Sequence, residues 1–233
     1  MAADLGPERL RVMLAALGLT EALPIELYEN RAPDLPVKWG PVETATISYG
    51  HGISVTPLHL LAAYAAIVNG GVYRTPTFFK ADGPRDGKQV LSVKTSAIMR
   101  RVLRRVITDG TARKAEIAGY YPIGKTATAD KPNVGGYSNE ARISSFVGAF
   151  PGYAPRYVVL ISLDNPQASK ATYGYATAGW NAAPTFSRLV GRLAPVLRVA
   201  PVTDAVALSA FAADDLIPSV RAEMRAVTIG GAP

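Results

Sequence analysis

Cysteine is absent from the 233 residues, which removes disulfides and thiol chemistry and leaves the redox compartment open. Histidine occurs twice, as His51 and His59. With no cysteine and no acidic residue at ligand spacing beside them, they form no zinc motif, and neither a metal nor a cofactor is expected. No serine sits on a G-x-S-x-G elbow. The glycine pairs of "NGGVYR" and "NVGGYSN" are not followed by the helix-opening G-K-[ST] that cradles phosphate. The longest apolar run, residues 60–68, is about half of the roughly 18 residues a membrane span requires. The start, "MAADLGPERLRVML", has no basic stretch leading into an apolar one, so no signal peptide is visible. Zinc-finger spacing, an aromatic RNA-binding signature and a long basic tail are missing too. The net charge of +7 is therefore read as a basic surface suited to an acidic polymer or a membrane, and no nucleic-acid partner is expected.

What is present describes a folded protein. A hydrophobic share of 48% with 18% charged residues supports one sizeable core or at most two small domains. Gly 21 and Pro 18 predict many turns. The first helix is predicted in "GPERLRVMLAALG": Pro7 suits the first helical position, Leu10, Met13, Leu14 and Leu17 recur at helical spacing, and Gly18 ends it. Residues 20–46, with four prolines, read as an irregular surface excursion anchored by Ile25, Leu27, Tyr28, Leu35, Val37 and Trp39. Thr56 and Pro57 then open a helix whose face is Leu58, Leu61, Ala62, Ala65 and Val68, with Asn69, Gly70 and Gly71 as its stop. On that helix His59 reads as a packing or hydrogen-bonding residue.

After the loop "DGPRDGK" comes a helix over residues 92–108. Ile98, Met99, Val102 and Val106 form its expected buried stripe, and Arg100, Arg101, Arg104 and Arg105 its solvated face. Beyond Gly110 the period changes to that of strands. "YPIGKTATA", "RISSFVGAF" and "RYVVLISL" read as three consecutive antiparallel strands, and "AAPTFSRLVGRL" as a closing helix with Phe186, Leu189, Val190 and Leu193 on one face. The expected fold class is α+β, an antiparallel sheet covered by helices.

One residue stands out chemically. Lys125, in "IGKTATAD", lies in a strand among small residues and beside two threonines. Alternation puts Lys125 and Ala127 on one face and Thr126 and Thr128 on the other. An ammonium ion flanked by hydroxyls can bind a carboxylate and raise the acidity of a neighbouring serine. Equally, a lysine on an edge strand can simply discourage aggregation.

Four segments, in order, carry a resemblance: "TISYGHGISVTPLHLLAAYAAIVNGG", "VITDGTARKAEIAGYYPIGKTATA", "SSFVGAFPGYAPRYVVLISLDNP" and "YGYATAGWNAAPTFSRLVGRL". Together they resemble the transpeptidase domain of class B penicillin-binding proteins, the peptidoglycan D,D-transpeptidases of division and elongation, over about residues 5–193. The resemblance implies the penicillin-binding-protein or serine β-lactamase-like fold, present in part. It also implies acyl transfer by a serine of an S-x-x-K motif, which attacks the penultimate D-Ala carbonyl of a stem peptide with help from an S-x-N motif. Lys125 then matches the lysine of K-T-G, Thr126 its threonine, and Thr128 the residue after its glycine, whose hydroxyl would meet the substrate or β-lactam carboxylate. The backbone around Gly124, Thr126, Ala127 and Thr128 would pair with the substrate as an added strand.

Two departures qualify that implication. No serine here has lysine three residues later or asparagine two residues later. "TARK", Thr111 to Lys114, has the spacing with threonine but falls in the loop before the strand and is read as structural. The chain is expected to be the C-terminal part of a transpeptidase domain, over residues 1–194, with a tail of unknown role over 195–233, and to be unable to acylate alone. Ala127 replaces the motif glycine, and its methyl would crowd a substrate, weakening or abolishing β-lactam binding. The implied partners are a peptidoglycan stem peptide, β-lactams and divisome membrane proteins. The implied location is the periplasmic side of the inner membrane, through an N-terminal anchor not in these residues. A β-lactamase or β-lactam sensor of the same fold is one rival reading, disfavoured by "YGHGISVTP". A non-catalytic divisome scaffold is the other.

Overall fold

The computed structural model describes residues 2–83, 85–133 and 136–202. A short helix α1 (Ala2–Leu5) leads into α2 (Pro7–Ala16), which starts on a proline and stops at Gly18, whose φ of 72° suits glycine. The excursion that follows is irregular as far as Gly40. It then forms an unexpected helix, α3 (Pro41–Ile47), because Glu43 reaches back to accept from the Gly40 N–H at 2.9 Å. The expected anchors Leu27, Tyr28 and Val37 are exposed; it is Leu23 that is buried. Side-chain type alone does not say which apolar residues of an irregular segment meet the core.

Helix α4 (Pro57–Val68) begins as expected, with Thr56 Oγ1 capping the His59 N–H. Its buried face is rotated, however, to His59, Ala62, Ala63, Ala66 and Val68, which places Leu58, Leu61 and Ala65 at its margin. His59 is fully buried: its Nε2–H donates to the Glu21 carbonyl at 2.9 Å, and Nδ1 lies 2.6 Å from Thr56 Oγ1. That satisfied imidazole ties the start of the excursion to α4. The glycine-rich loop after α4 holds a small hairpin, β1 (Val72–Tyr73) with β2 (Lys88–Gln89), which the loop composition concealed.

Helix α5 (Val93–Thr108) is capped by Ser92 Oγ, which accepts from Thr95 N–H at 3.0 Å. Its buried positions are Ser96, Leu103 and Ile107, while Val102 is exposed. Nor is its arginine cluster uniformly solvated. Arg100 donates to the Val68 carbonyl at 3.2 Å, and Arg104 donates to the Pro122 carbonyl at 3.0 Å and pairs with Glu116 at 2.6 Å.

Strands β3 (Ile123–Asn133), β4 (Gly136–Phe150) and β5 (Tyr157–Asp164) form an antiparallel meander in the order β3-β4-β5. They outrun the expected strands, since the β3–β4 pairing continues past an irregularity after Asp130 as far as Asn133 opposite Gly136. One sheet face, with Phe146 and Phe150, packs on helix α6 (Ala182–Val196) through Phe186 and Val190; the Phe146 and Phe186 rings meet edge to face at 4.9 Å. Ala182, Ala183 and Ala194 complete the α6 stripe, and Leu189 is partly exposed instead. The other face, with Ile123 and Ala149, packs on Val68 of α4 and Leu103 of α5. The sheet is thus sandwiched between helices, the α+β architecture expected.

Past α6 the chain stays on the body as far as Val202. Val199 is buried, its carbonyl accepts from the Tyr120 hydroxyl at 3.1 Å, and Val202 N–H donates to the Gly119 carbonyl at 2.8 Å. Most of the expected tail, residues 203–233, lies outside the described residues. No helix among the described residues is long and apolar enough to cross a membrane.

Candidate active site

Strand β3, like β5, is an outer strand of its sheet, so among the described residues one of its edges has no strand partner. The residues singled out by sequence line its first half. Gly124 is buried where nothing larger fits: an added Cβ would lie 2.4 Å from the Val147 carbonyl oxygen and 2.5 Å from Cζ of Phe146. Lys125 is exposed and its ammonium donates to the Thr126 carbonyl at 2.7 Å, leaving its other two protons for a ligand. Ala127 is exposed opposite Ser145, on the same face as Lys125.

The two threonines lie on the other face, and each has a partner that the sequence did not suggest. Thr126 Oγ1 is 2.7 Å from Thr111 Oγ1, in the "TARK" loop. Thr128 Oγ1 accepts from the Ala178 N–H at 3.2 Å. A long turn before α6 supplies Ala178 and carries an aromatic group. Trp180 stacks on Tyr175 at 5.2 Å with an interplanar angle of 15°, and the Lys114 ammonium sits 3.7 Å from the Trp180 ring centroid. The loop read as merely structural therefore meets the strand through Thr111 and the turn through Lys114. No local pattern could reveal these contacts, since they join residues 15, 50 and 66 positions apart (111 with 126, 128 with 178, 114 with 180).

Beyond Thr128 a groove of about 730 Å³ opens between the β3–β4 arm and the loop over residues 49–54, lined by Tyr49, His51, Ile53, Thr128, Lys131 and Ile143 among others. That volume is in the range of small-ligand sites. Its second wall is held by the paired backbones of Asp34 and Ser54 (2.9 and 3.1 Å). It turns at Gly50 and Gly52, whose φ values are 92° and 81°. The glycines of "YGHG" were the signal for this turn, although the string entered the sequence reading only through the resemblance. Lysine, hydroxyls, a free strand edge and an adjoining groove together suit an extended, carboxylate-bearing peptide.

Known proteins resemble this chain in sequence and in fold. The penicillin binding protein transpeptidase domain family matches residues 1–190. A Caulobacter vibrioides protein named "Probable peptidoglycan D,D-transpeptidase FtsI" is 37% identical over 220 residues, covering 90% of this chain and 37% of that protein. Stage V sporulation protein D of Bacillus subtilis is 36% identical over 211 residues, 84% of this chain and 32% of its own length. The chain thus spans about a third of the length of these curated relatives. Among solved structures, the apo transpeptidase domain of Burkholderia pseudomallei penicillin-binding protein 3 superposes with a TM-score of 0.79 at 34% identity, over 87% of this chain and 61% of that one. Penicillin-binding protein 3 of Mycobacterium tuberculosis in complex with ampicillin gives 0.75 at 31% identity, over 86% and 48%. With its sandwiched meander and this agreement in sequence and shape, the chain belongs to the penicillin-binding protein transpeptidase domain family.

Proposed function

We propose that this chain is the strand-bearing part of a peptidoglycan D,D-transpeptidase of the division type, working on the periplasmic side of the inner membrane. The observation that carries the reading is the K-T-A-T stretch, Lys125 to Thr128, on the free edge of the sheet. The acylating serine belongs to an S-x-x-K motif that these 233 residues do not contain. In the reaction that serine attacks the penultimate D-Ala carbonyl of a stem peptide, releases the terminal D-Ala, and passes the acyl group to the amine of a second stem. Lys125 supplies positive charge beside the serine and the substrate carboxylate. Thr126 and Thr128 supply hydroxyl donors, and the edge of β3 pairs with the peptide backbone.

Ala127 supports a second reading, a non-catalytic scaffold of the divisome. Its methyl stands on the face that Lys125 shares, where the motif glycine would leave room for a ligand. Fluorescent penicillin separates the two. The purified 233-residue chain should form no covalent adduct, and a labelled band blocked by excess penicillin would show that the nucleophile is within it. The protein as cells make it, captured from envelopes with an antibody to this chain, should be labelled. Absence of label there overturns the enzyme reading in favour of the scaffold.

A further inference from the structure

We infer that Asn181 is a positioning residue for the reaction, setting the direction in which the Thr128 hydroxyl donates; this rests on the reading of Thr128 as a carboxylate contact. Asn181 lies on no strand but at the N-cap of α6, and its amide makes three bonds at once. Its Oδ1 accepts from the Ala182 N–H at 2.6 Å and from the Ser144 hydroxyl at 2.5 Å, and its Nδ2 donates to the Ala176 carbonyl at 3.0 Å. The orientation of the amide is fixed by chemistry: a backbone N–H can only donate and a carbonyl can only accept, so oxygen must face Ala182 and nitrogen Ala176.

Two of those bonds gather both ends of the 176–182 turn on Asn181, and the third fastens Asn181 to the sheet at Ser144. Ser144 is fully buried and is the cross-strand partner of Thr128 in the β3–β4 register. The turn therefore hangs from the residue next to Thr128, and it returns the Ala178 N–H to β3, on Thr128 Oγ1. A hydroxyl oxygen that accepts this bond keeps its own proton for another partner. With Thr128 exposed, that proton is directed outward, as a carboxylate acceptor requires, and the bond received from Ala178 polarises it further. Without the turn the hydroxyl is free to rotate, and its proton can face the protein.

The experiment uses the protein captured from envelopes, in wild-type form and as Asn181→Ala, Asn181→Asp, Thr128→Val and the double variant Asn181→Ala with Thr128→Val. Labelling rates are read with a fluorescent penicillin and with the same molecule methylated at its carboxylate. Loss of one charge-assisted hydrogen bond predicts labelling by the acid slowed about tenfold in Asn181→Ala, with the ester changed by less than about twofold. Thr128→Val should be slowed as much, and the double variant no further. Equal slowing of acid and ester, or losses that multiply in the double variant, would overturn the proposal, because both mark a merely structural role.

Asn181→Asp keeps the acceptor for Ser144 and Ala182 and sets a carboxylate oxygen against the Ala176 carbonyl in place of the donor, which releases that end of the turn and covers a failure of the alanine variant to fold. A second readout needs no activity: in the 233-residue chain the Ala178 amide should be protected from hydrogen exchange, and lose that protection in Thr128→Val and in Asn181→Asp while β4 keeps its own. A wild-type protein that takes no label overturns the transpeptidase reading, whereas an Ala178 amide indifferent to both substitutions overturns this one.

Discussion

Two small residues of β3, three positions apart, have opposite physical roles. Gly124 is a packing requirement, because any Cβ there would press on the Val147 carbonyl and the Phe146 ring that anchors α6. Gly124→Ala should cost about 1–3 kcal/mol by overpacking, read as a lower urea midpoint with unchanged slope. Ala127 has an exposed side chain, so Ala127→Gly should cost only about 0.5–1 kcal/mol of strand stability. In the cell-derived protein the same change should speed penicillin labelling if the methyl obstructs the ligand, and an unchanged rate would show that it does not. At the same scale Glu26 clamps a distant loop, accepting from the Thr77 hydroxyl and from the Phe78 N–H at 3.0 Å. The Thr77 bond first, and the Phe78 bond after it, hold its carboxyl below the usual glutamate range. A depressed carboxyl favours the folded clamp above the ordinary glutamate pKa, and that contribution disappears as pH falls through the lowered value. The Phe78 amide resonance should therefore titrate below the normal glutamate range, and Glu26→Gln should abolish the transition.

Helices α2, α4, α5 and α6 and the three-strand meander were legible in the sequence; α1, α3 and the β1–β2 hairpin were not, and helix faces were legible only in part. Pro7 at the first helical position, and the caps Thr56 and Ser92, mark helix starts through effects that act within one turn. Which side of α5 is buried depends instead on the sheet and on α4. Ser96 is buried because its hydroxyl donates to the Ile67 carbonyl at 2.6 Å and accepts from the Gly70 N–H at 3.0 Å. Arg104 likewise sits inward among carbonyl and carboxylate partners. A polar residue counts as surface in any hydrophobic pattern until its partners are known. The site divided along the same line: "KTAT" was legible as a local string, whereas Thr111, Ala178 and Asn181 reach it from other elements. The two arginine pairs of α5 allow a direct comparison. The Arg104 side chain is 14% exposed in its pair with Glu116, against 51% for Arg105 in its pair with Asp109. Arg104→Ala should destabilise by about 2–4 kcal/mol and Arg105→Ala by about 0.5 kcal/mol or less, compared by denaturant unfolding.

At the scale of the whole molecule, the last described segment belongs to the core. Val199 enters the cluster around Phe150 and Phe186, and the Tyr120 hydroxyl closes on its carbonyl. Burial of one valine contributes about 1.5–3 kcal/mol, and the hydrogen bond about 1 kcal/mol more. A chain ending at Val202 should therefore be more stable by at least about 2 kcal/mol than one ending at Ala194, measured as the difference in unfolding free energy. Equal stabilities would mean that residues 195–202 merely lie on the surface. The open edge of β3 has a consequence for handling as well. An edge able to take up a foreign peptide as a further strand is equally able to take up the same strand of a second copy. Concentrated preparations should thus self-associate through β3, and a short stem-peptide mimic should keep them apart by competing for the same row of backbone groups.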